Sequence, residues 1–102
     1  MKHARLTSID LPDFGDPVSE PDIPASVYAA RGRRLLQRMA AARLDAMVVY
    51  GDREHVANIC WLTGYDPRFE EAICIVVPGS TPHLLLGNEG FPYAETARGP
   101  FE

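Results

Sequence analysis

The fold is decided at residues 72–87, which read AICIVVPGSTPHLLLG. The six-residue apolar run from Ala72 to Val77 predicts a buried strand, and the proline- and glycine-containing segment 78–82 predicts a turn. His83 to Gly87 predicts a further strand. Because a short turn separates these two strands, they are expected to pair as an antiparallel hairpin.

The chain before this hairpin predicts two helices and one more strand. Ser26 is expected to cap a helix over Val27 to Arg43, in which apolar residues recur at helical spacing. Ala46 to Tyr50 predicts a short buried strand. Asp52 is expected to cap a second helix from about Arg53 to Leu62. The order helix, strand, helix, strand, strand predicts an α/β domain with a small mixed sheet and flanking helices.

The two helices are expected to end differently. Gly64 follows the second helix, at the position where a left-handed C-cap is required. After the first helix a glycine is also expected, but Arg43 stands there instead. The positive charge of Arg43 suits the negative end of the helix dipole.

The remaining segments show no regular pattern. Four of the nine prolines lie within residues 8–25, so residues 1–25 are expected to form an extended, proline-rich arm. Residues 26–102 are expected to form the domain, although residues 88–102 carry no clear pattern. A three-stranded sheet is thin for an α/β layer, so we expect a domain that is incomplete at its C-terminus. An uncovered sheet edge is then expected to promote self-association.

Composition excludes several classes of protein. The net charge of −4 argues against a nucleic-acid partner. The longest apolar run has six residues, far fewer than the roughly 20 that a membrane span needs, and residues 1–8 lack the apolar core of a secretory signal. Cys60 and Cys74 lack metal-type spacing, so both are predicted to be small buried hydrophobes in a cytoplasmic protein.

Charge is unevenly distributed along the chain. Residues 1–25 carry a net charge of −3, residues 26–43 contain five arginines and no acid, and residues 44–102 carry −6. A basic helix between acidic stretches is explained either by a solvated helix face or by electrostatic complementarity within the chain or between subunits. The sequence leaves both explanations open.

No motif in the sequence predicts a catalytic or metal-binding site. The serine-hydrolase, phosphate-binding and zinc-protease patterns (G-x-S-x-G, the P-loop and H-E-x-x-H) do not occur in the sequence. Asp52, Glu54 and His55 are suitable metal ligands by type. Adjacent helical positions are about 100° apart, however, so Glu54 and His55 cannot face one ion from a helix. We therefore predict no catalytic residue and no metal ligand in this chain.

The densest candidate for a binding surface is the segment 63–71, between the second helix and the hairpin. It combines Arg68 and Phe69 with three carboxylates, and a proline stiffens it. An arginine can bind a carboxylate in bidentate geometry. The alternative is an ordinary solvated loop in which Arg68 pairs with Glu70 or Glu71.

The sequence resembles one family in several places, among them Tyr28-x-x-Arg31, the stretch Leu44 to His55, and Asn58-Ile59-x-x-Leu62-Thr63-Gly64-Tyr65. The match continues through Asp66 to Ala72 and Leu85 to Gly90. The family is the amino-terminal domain of the creatinase/prolidase/aminopeptidase P metallohydrolases. The resemblance extends over about residues 11–95, and the Asn-Ile-x-x-Leu-Thr-Gly-Tyr segment is its most specific part.

The resemblance implies an α/β domain that shapes the entrance of an active site, often that of a neighbouring subunit. It also implies a separate catalytic domain that holds a pair of Mn, Co or Zn ions and hydrolyses a C–N bond, as in Xaa-Pro peptidases or creatinase. None of that domain's ligands maps onto this chain. The chain is therefore expected to be truncated, to have no cofactor or activity alone, and to act in substrate gating and oligomerisation.

The resemblance also implies that the Tyr65–Glu71 loop lies near a substrate pocket. Arg68 is then the charged substrate-facing candidate, Phe69 an apolar wall and Tyr65 a support, with His55 and Asn58 as weaker candidates. The expected partners are further copies of the chain or a separate catalytic chain, with no nucleic acid and no membrane. The alternative function is a stand-alone interaction module that pairs with itself or with a separately encoded catalytic chain.

Overall fold

A computed structural model of the chain describes residues 4–16, 18–19 and 22–102. In chain order, the elements within these ranges are α1 (Ala25–Ala42), β1 (Met47–Gly51), α2 (Ala57–Thr63), β2 (Ala72–Val76), β3 (His83–Leu86) and a 3-10 helix (Phe91–Thr96). The predicted α/β class is confirmed, but the described strands form an antiparallel sheet and not the mixed sheet that was expected. No helix in the described ranges is long and apolar enough to cross a membrane.

The strands of the described chain form one sheet in the order β1-β2-β3, and both neighbouring pairs are antiparallel. Gly51 pairs with Ala72, and Ala72 pairs in turn with Leu86. The β2–β3 pairing confirms the predicted hairpin. The register also joins the end of β1 to the start of β2, so the loops at this end of the sheet lie close together.

The outer edge of β3 forms two hydrogen bonds with Glu102. The Glu102 N–H donates to the Pro82 carbonyl at 3.0 Å, and the Glu102 carbonyl accepts from the Leu84 N–H at 2.8 Å. This is the bonding pattern of a parallel neighbour. The edge that we expected to be uncovered is therefore partly covered at this position.

One face of the sheet is buried because α2 packs against β1 and β2, and α1 packs in turn on α2. Side chains alternate between the faces along each strand, so Ala72, Cys74 and Val76 of β2 all point to the buried face. Met39 from α1 and Ile59 and Leu62 from α2 complete this core. The opposite face is apolar but exposed, as shown by Val48, Tyr50 and Leu85.

Arg31 joins α1 to α2. Its guanidinium lies between two aromatic rings, 4.9 Å from the centroid of Tyr28 and 5.0 Å from that of Trp61. Its Nη1 also donates to the Trp61 carbonyl at 2.8 Å. These cation–π contacts and the hydrogen bond fix the two helices relative to each other.

The first helix begins earlier than the sequence predicted. Ala25 is its first residue, and Pro24, not Ser26, is the N-cap. The Pro24 carbonyl accepts the N–H of Val27 at 2.9 Å, so the helical bonding begins before Ser26 is reached. A proline in this flanking position is tolerated because the N–H it lacks would have no helical partner.

The second helix begins later than predicted, at Ala57 and not near Arg53. The Asp52 carboxylate accepts the N–H groups of Glu54 and His55 at 2.9 and 2.6 Å. Asp52 therefore closes a local turn over residues 53–55 and does not start a helix. At its other end, α2 stops at Gly64 with φ 77°, which confirms the predicted left-handed cap.

Smaller differences lie at the strand ends and in the C-terminal segment. The strand β1 is shifted by one residue, and β2 and β3 each end one residue earlier than predicted. The 3-10 helix Phe91–Thr96 was not predicted. Its side chains are mostly exposed, so it lacks the apolar periodicity by which helices are recognised.

Arg43 ends α1 in the left-handed conformation, with φ 56° and ψ 46°. Its N–H donates to the Ala40 carbonyl at 3.1 Å, and the next N–H, of Leu44, donates to the Met39 carbonyl at 2.9 Å. Glycine usually occupies this position because a Cβ atom is disfavoured at positive φ. Arg43 is therefore a site of backbone strain.

We expect Arg43→Gly to raise the free energy of unfolding by about 1 kcal/mol, because glycine adopts this conformation without the Cβ penalty. Arg38→Gly is the matched control, since Arg38 is an exposed arginine inside the same helix. That change should lower stability by about 1 kcal/mol, the ordinary cost of glycine in a helix. Urea denaturation of the chain and both variants measures the difference. Equal losses in the two variants would contradict the assignment of strain to Arg43.

Candidate functional site

The loop that joins α2 to β2 starts on a buried tyrosine. Tyr65 is 2% exposed, and its hydroxyl donates to the Gly90 carbonyl at 3.2 Å. Its backbone N–H donates to the Thr63 hydroxyl at 3.0 Å. The Tyr65 side chain is therefore shielded from solvent, and its contacts hold the start of the loop in place.

The middle of the loop is also anchored. Pro67 is buried and lies against the end of β1, where a Cβ atom on Gly51 would be 3.3 Å from the Pro67 ring and would collide with Ile59. Any side chain at Gly51 would push the loop and α2 away from the sheet. The absence of a side chain there allows this close approach.

Two further contacts hold the end of the loop against the segment that follows β3. A Glu70 carboxylate oxygen accepts the N–H of Glu89 at 3.2 Å, and the same carboxylate lies against Gly87. The Phe69 ring stacks on Tyr93, with 5.0 Å between ring centroids and 28° between the planes. The loop is thus fixed at both ends and in the middle.

Arg68 lies at the tip of this anchored loop, with 72% of its side chain exposed. Its guanidinium pairs with the Asp66 carboxylate at 3.3 Å, and the backbone N–H of Arg68 donates to the Asp66 carbonyl at 2.8 Å. The alternative pairing of Arg68 with Glu70 or Glu71 is therefore not observed; Arg68 pairs with Asp66, and Glu70 accepts the N–H of Glu89. Arg68 and the half-exposed Phe69 remain accessible to a ligand.

The two weaker candidates lie at the same end of the sheet but on a different segment. His55 is exposed, and its Nδ1 lies 3.0 Å from an Asp52 carboxylate oxygen. Asn58 is exposed on the first turn of α2. Within the described residues, no hydrogen bond joins either side chain to Arg68 or Phe69.

Asp52 is the most strongly perturbed carboxylate among the described residues. The N–H of His55, its ring, the Tyr50 hydroxyl and the N–H of Glu54 all donate to it, and these bonds lower the pKa of Asp52 to about 2. The Tyr50 hydroxyl donates at 3.0 Å, and this hydrogen bond raises the pKa of Tyr50. The cluster orders the turn between β1 and α2.

A polar hollow of about 460 Å³ adjoins the loop through Asp66. It lies between the start of α1, the end of α2 and the C-terminal segment, and Tyr28, Thr96 and Arg98 also line it. The Arg98 N–H donates to the Thr63 carbonyl at 2.7 Å, which brings this distant part of the chain to the loop. The sequence predicted neither Arg98 nor Tyr93 as part of the site, since both lie in the segment without a pattern.

The side chains of the described residues do not suit metal or thiol chemistry. Among the described residues, no three His, Cys, Asp or Glu side chains converge on a common point. Burial raises the pKa of Cys74 to about 11, and burial is also the main cause of the raised pKa of Cys60. A thiol with a raised pKa is a poor nucleophile and a poor metal ligand. The arrangement can bind and orient a ligand through charge and apolar contact.

The Asp52 cluster predicts an acid-dependent loss of stability. Because the folded-state pKa lies below the usual value of 3.8, the cluster stabilises the fold above about pH 4, and this contribution disappears as the pH falls towards 2. Asp52→Asn should remove that part of the pH dependence. Asp45→Asn, at an exposed carboxylate beyond the end of α1, is the control and should leave this pH dependence unchanged. Urea midpoints between pH 5 and pH 2 measure both, and identical profiles for the two variants would contradict the assignment.

Comparison with known proteins identifies the fold. A family model described as the Creatinase/Prolidase N-terminal domain matches residues 31–98. Neither a curated protein nor a solved structure matches the chain. The matched residues run from within α1 to just beyond the 3-10 helix, so they include the sheet, α2 and the anchored loop. The chain therefore belongs to the creatinase/prolidase amino-terminal domain family.

Proposed function

We propose that this chain is the non-catalytic amino-terminal domain of a metal-dependent hydrolase that cleaves a C–N bond, of the Xaa-Pro peptidase or creatinase type. In that role it gates substrate access and contacts a neighbouring subunit. The observation that supports the gating role is the anchored loop, which holds Arg68 and Phe69 exposed on a fixed base. Membership of the family makes the chain part of a creatinase/prolidase-like protein.

Arg68 is suited to capturing a substrate carboxylate. Its present partner, Asp66, is itself about half exposed, and an exposed ion pair contributes little free energy. A substrate carboxylate can therefore replace Asp66 at small cost and bind the guanidinium in bidentate geometry. Pro67 reduces the entropy that the loop would lose on binding.

Phe69 forms the apolar side of the same surface. Its ring is about half exposed and is held in place by its stacking on Tyr93. A fixed aromatic ring offers contact area with little loss of conformational entropy on binding. The pair of Arg68 and Phe69 favours a substrate in which a carboxylate lies near an apolar group, such as a short peptide.

The chemistry in this proposal belongs to a separate catalytic domain, joined in one polypeptide or supplied by another chain of the cytoplasm. That domain would hold the pair of Mn, Co or Zn ions, since the described residues of this chain offer no cluster of ligands for such a site. This chain contributes binding and orientation only. Its net charge of −4 is consistent with a partner other than nucleic acid.

One observation favours the alternative of a stand-alone interaction module. The outer face of the sheet exposes Val48, Tyr50 and Leu85 in neighbouring rows, and a contiguous apolar patch is typical of a protein contact. A module of this kind would bind a catalytic partner without changing the kcat or KM of that partner. Substitutions in the Arg68 loop should therefore change kcat/KM if the chain gates substrate access, and should leave it unchanged if the chain is only an interaction module.

The chain alone is expected to release no amino acid from an Xaa-Pro dipeptide in the presence of Mn²⁺, Co²⁺ or Zn²⁺. A two-metal hydrolytic site needs several carboxylates around ions roughly 3.5–4 Å apart, and no such set of ligands exists in the described residues. A mock preparation from cells without the gene is the control. Metal-dependent turnover that co-purifies with the chain and exceeds the mock would overturn the assignment as non-catalytic.

In the active assembly of this chain with its catalytic domain, Arg68→Ala should lower kcat/KM. The ratio of the two values should correspond to a loss of transition-state stabilisation on the order of 1–3 kcal/mol, as for loss of a charged hydrogen bond. The free energy of unfolding should change by less than about 0.5 kcal/mol, because the side chain is exposed. Steady-state kinetics and urea denaturation measure the two effects.

Arg53→Ala is the matched control, since Arg53 is an exposed arginine outside the loop. It should leave kcat/KM unchanged. If Arg68→Ala reduces stability and leaves kcat/KM intact, Arg68 serves only the ion pair with Asp66, and the gating proposal fails.

A further inference from the structure

An apolar groove runs alongside α1 on the buried side of the sheet. It has a volume of about 540 Å³, and its floor includes Leu36, Leu62, Val76 and Phe101. Arg33 and Arg98 also line it. Within the described chain, no side chain fills this groove. A cleft of this size and composition suits a segment that carries large apolar side chains.

The arm before α1 is a segment of that kind. Its described residues before α1, 4–16, 18–19 and 22–24, form neither helix nor strand, and all of them are exposed. Leu6, Phe14 and Val18 are 100%, 91% and 96% exposed, and Ile9 and Leu11 are exposed as well. Water-exposed apolar side chains at this density favour burial against another surface.

The charges of the arm and of α1 are opposite. Asp10, Asp13 and Asp16 alternate with the apolar residues of the arm. On α1, Arg34 and Arg38 are exposed, and Arg33 lies at the groove. Salt bridges between described residues involve none of these three arginines. If the arm enters the groove, its carboxylates come close to these arginines. The arginines form no salt bridge with a described residue, so the two sets of charges complement each other.

We propose that the arm of one copy docks in the α1 groove of a second copy, and that the exchange is reciprocal. This inference rests on the subunit-contact part of the proposed function and names the contact. Reciprocal exchange buries two arms and two grooves around one two-fold axis, which closes the assembly as a dimer.

Exchange between copies is favoured over docking of the arm onto its own groove. The groove begins at Ala25 and Ser26, directly where the arm joins α1. Pro24 is extended there, with φ −59° and ψ 146°. The arm would have to reverse direction immediately after an extended proline to reach its own groove, whereas a second copy offers the same groove without a reversal.

The test uses the full 102-residue chain with the photoreactive residue p-benzoylphenylalanine in place of Phe14. An equimolar mixture of unlabelled and nitrogen-15-labelled chains is irradiated and digested, and the cross-linked peptides are identified by mass spectrometry. We expect cross-links from position 14 to α1 or to residues 98–101, with half of them joining a light to a heavy peptide. The same photoreactive residue in place of Leu85, on the outer sheet face, is the control and should give no mixed cross-links.

Three other results would each overturn the proposal. Cross-links that join only peptides of the same label mean that the arm docks on its own chain. Mixed cross-links from position 85 with none from position 14 mean that the sheet faces stack. A chain that sediments as a monomer at micromolar concentration also excludes exchange. None of these results affects the gating role of Arg68, which is measured by kcat/KM.

A pair of substitutions in the arm provides a second measurement by sedimentation equilibrium. Phe14→Asp should raise the dimer Kd by about tenfold or more, since the burial of an aromatic side chain is lost. Ser8→Asp adds the same charge at an exposed polar position of the arm and should change Kd by much less. Equal effects of the two substitutions would show that charge alone, and not the groove, governs association.

Discussion

The hydroxyl of Thr63 connects the parts of the fold that carry its candidate surface. It is fully buried, donates to the Ile59 carbonyl at 2.7 Å and accepts the N–H of Tyr65 at 3.0 Å. The carbonyl of the same residue accepts the Arg98 N–H at 2.7 Å. Thr63 thus ends α2, starts the loop and holds the C-terminal segment. Loss of its hydroxyl would leave a buried N–H without a partner, which is costly in a low-dielectric interior.

This connection separates a rigid base from an accessible tip. Tyr65, Pro67 and Glu70 face inwards and make the contacts that fix the loop, whereas Arg68 points into solvent. The division follows from the chemistry of the residues, because the aromatic body and the proline ring gain from burial and the guanidinium does not. A loop fixed in this way presents a charge at a constant position, which is what recognition of a substrate group requires.

Features with local signals could be predicted from the sequence. The β2–β3 hairpin follows from an apolar run and a proline-rich turn, and the cap at Gly64 follows from the preference of glycine for positive φ. The start of α2 could not, because the same Asp52 hydrogen bonds serve a helix cap and an isolated turn. Tyr93 and Arg98 reach the site only through contacts with residues far away in the chain, and no local pattern encodes such contacts.

The two hydrogen bonds between Glu102 and the edge of β3 have a consequence for the colloidal behaviour of the protein. An amyloid-like stack grows when a foreign strand takes the free N–H and C=O groups of an edge. Here the Leu84 N–H and the Pro82 carbonyl are already occupied by the chain itself. A foreign strand would first have to displace Glu102, so these two hydrogen bonds oppose fibril growth along β3 at this position.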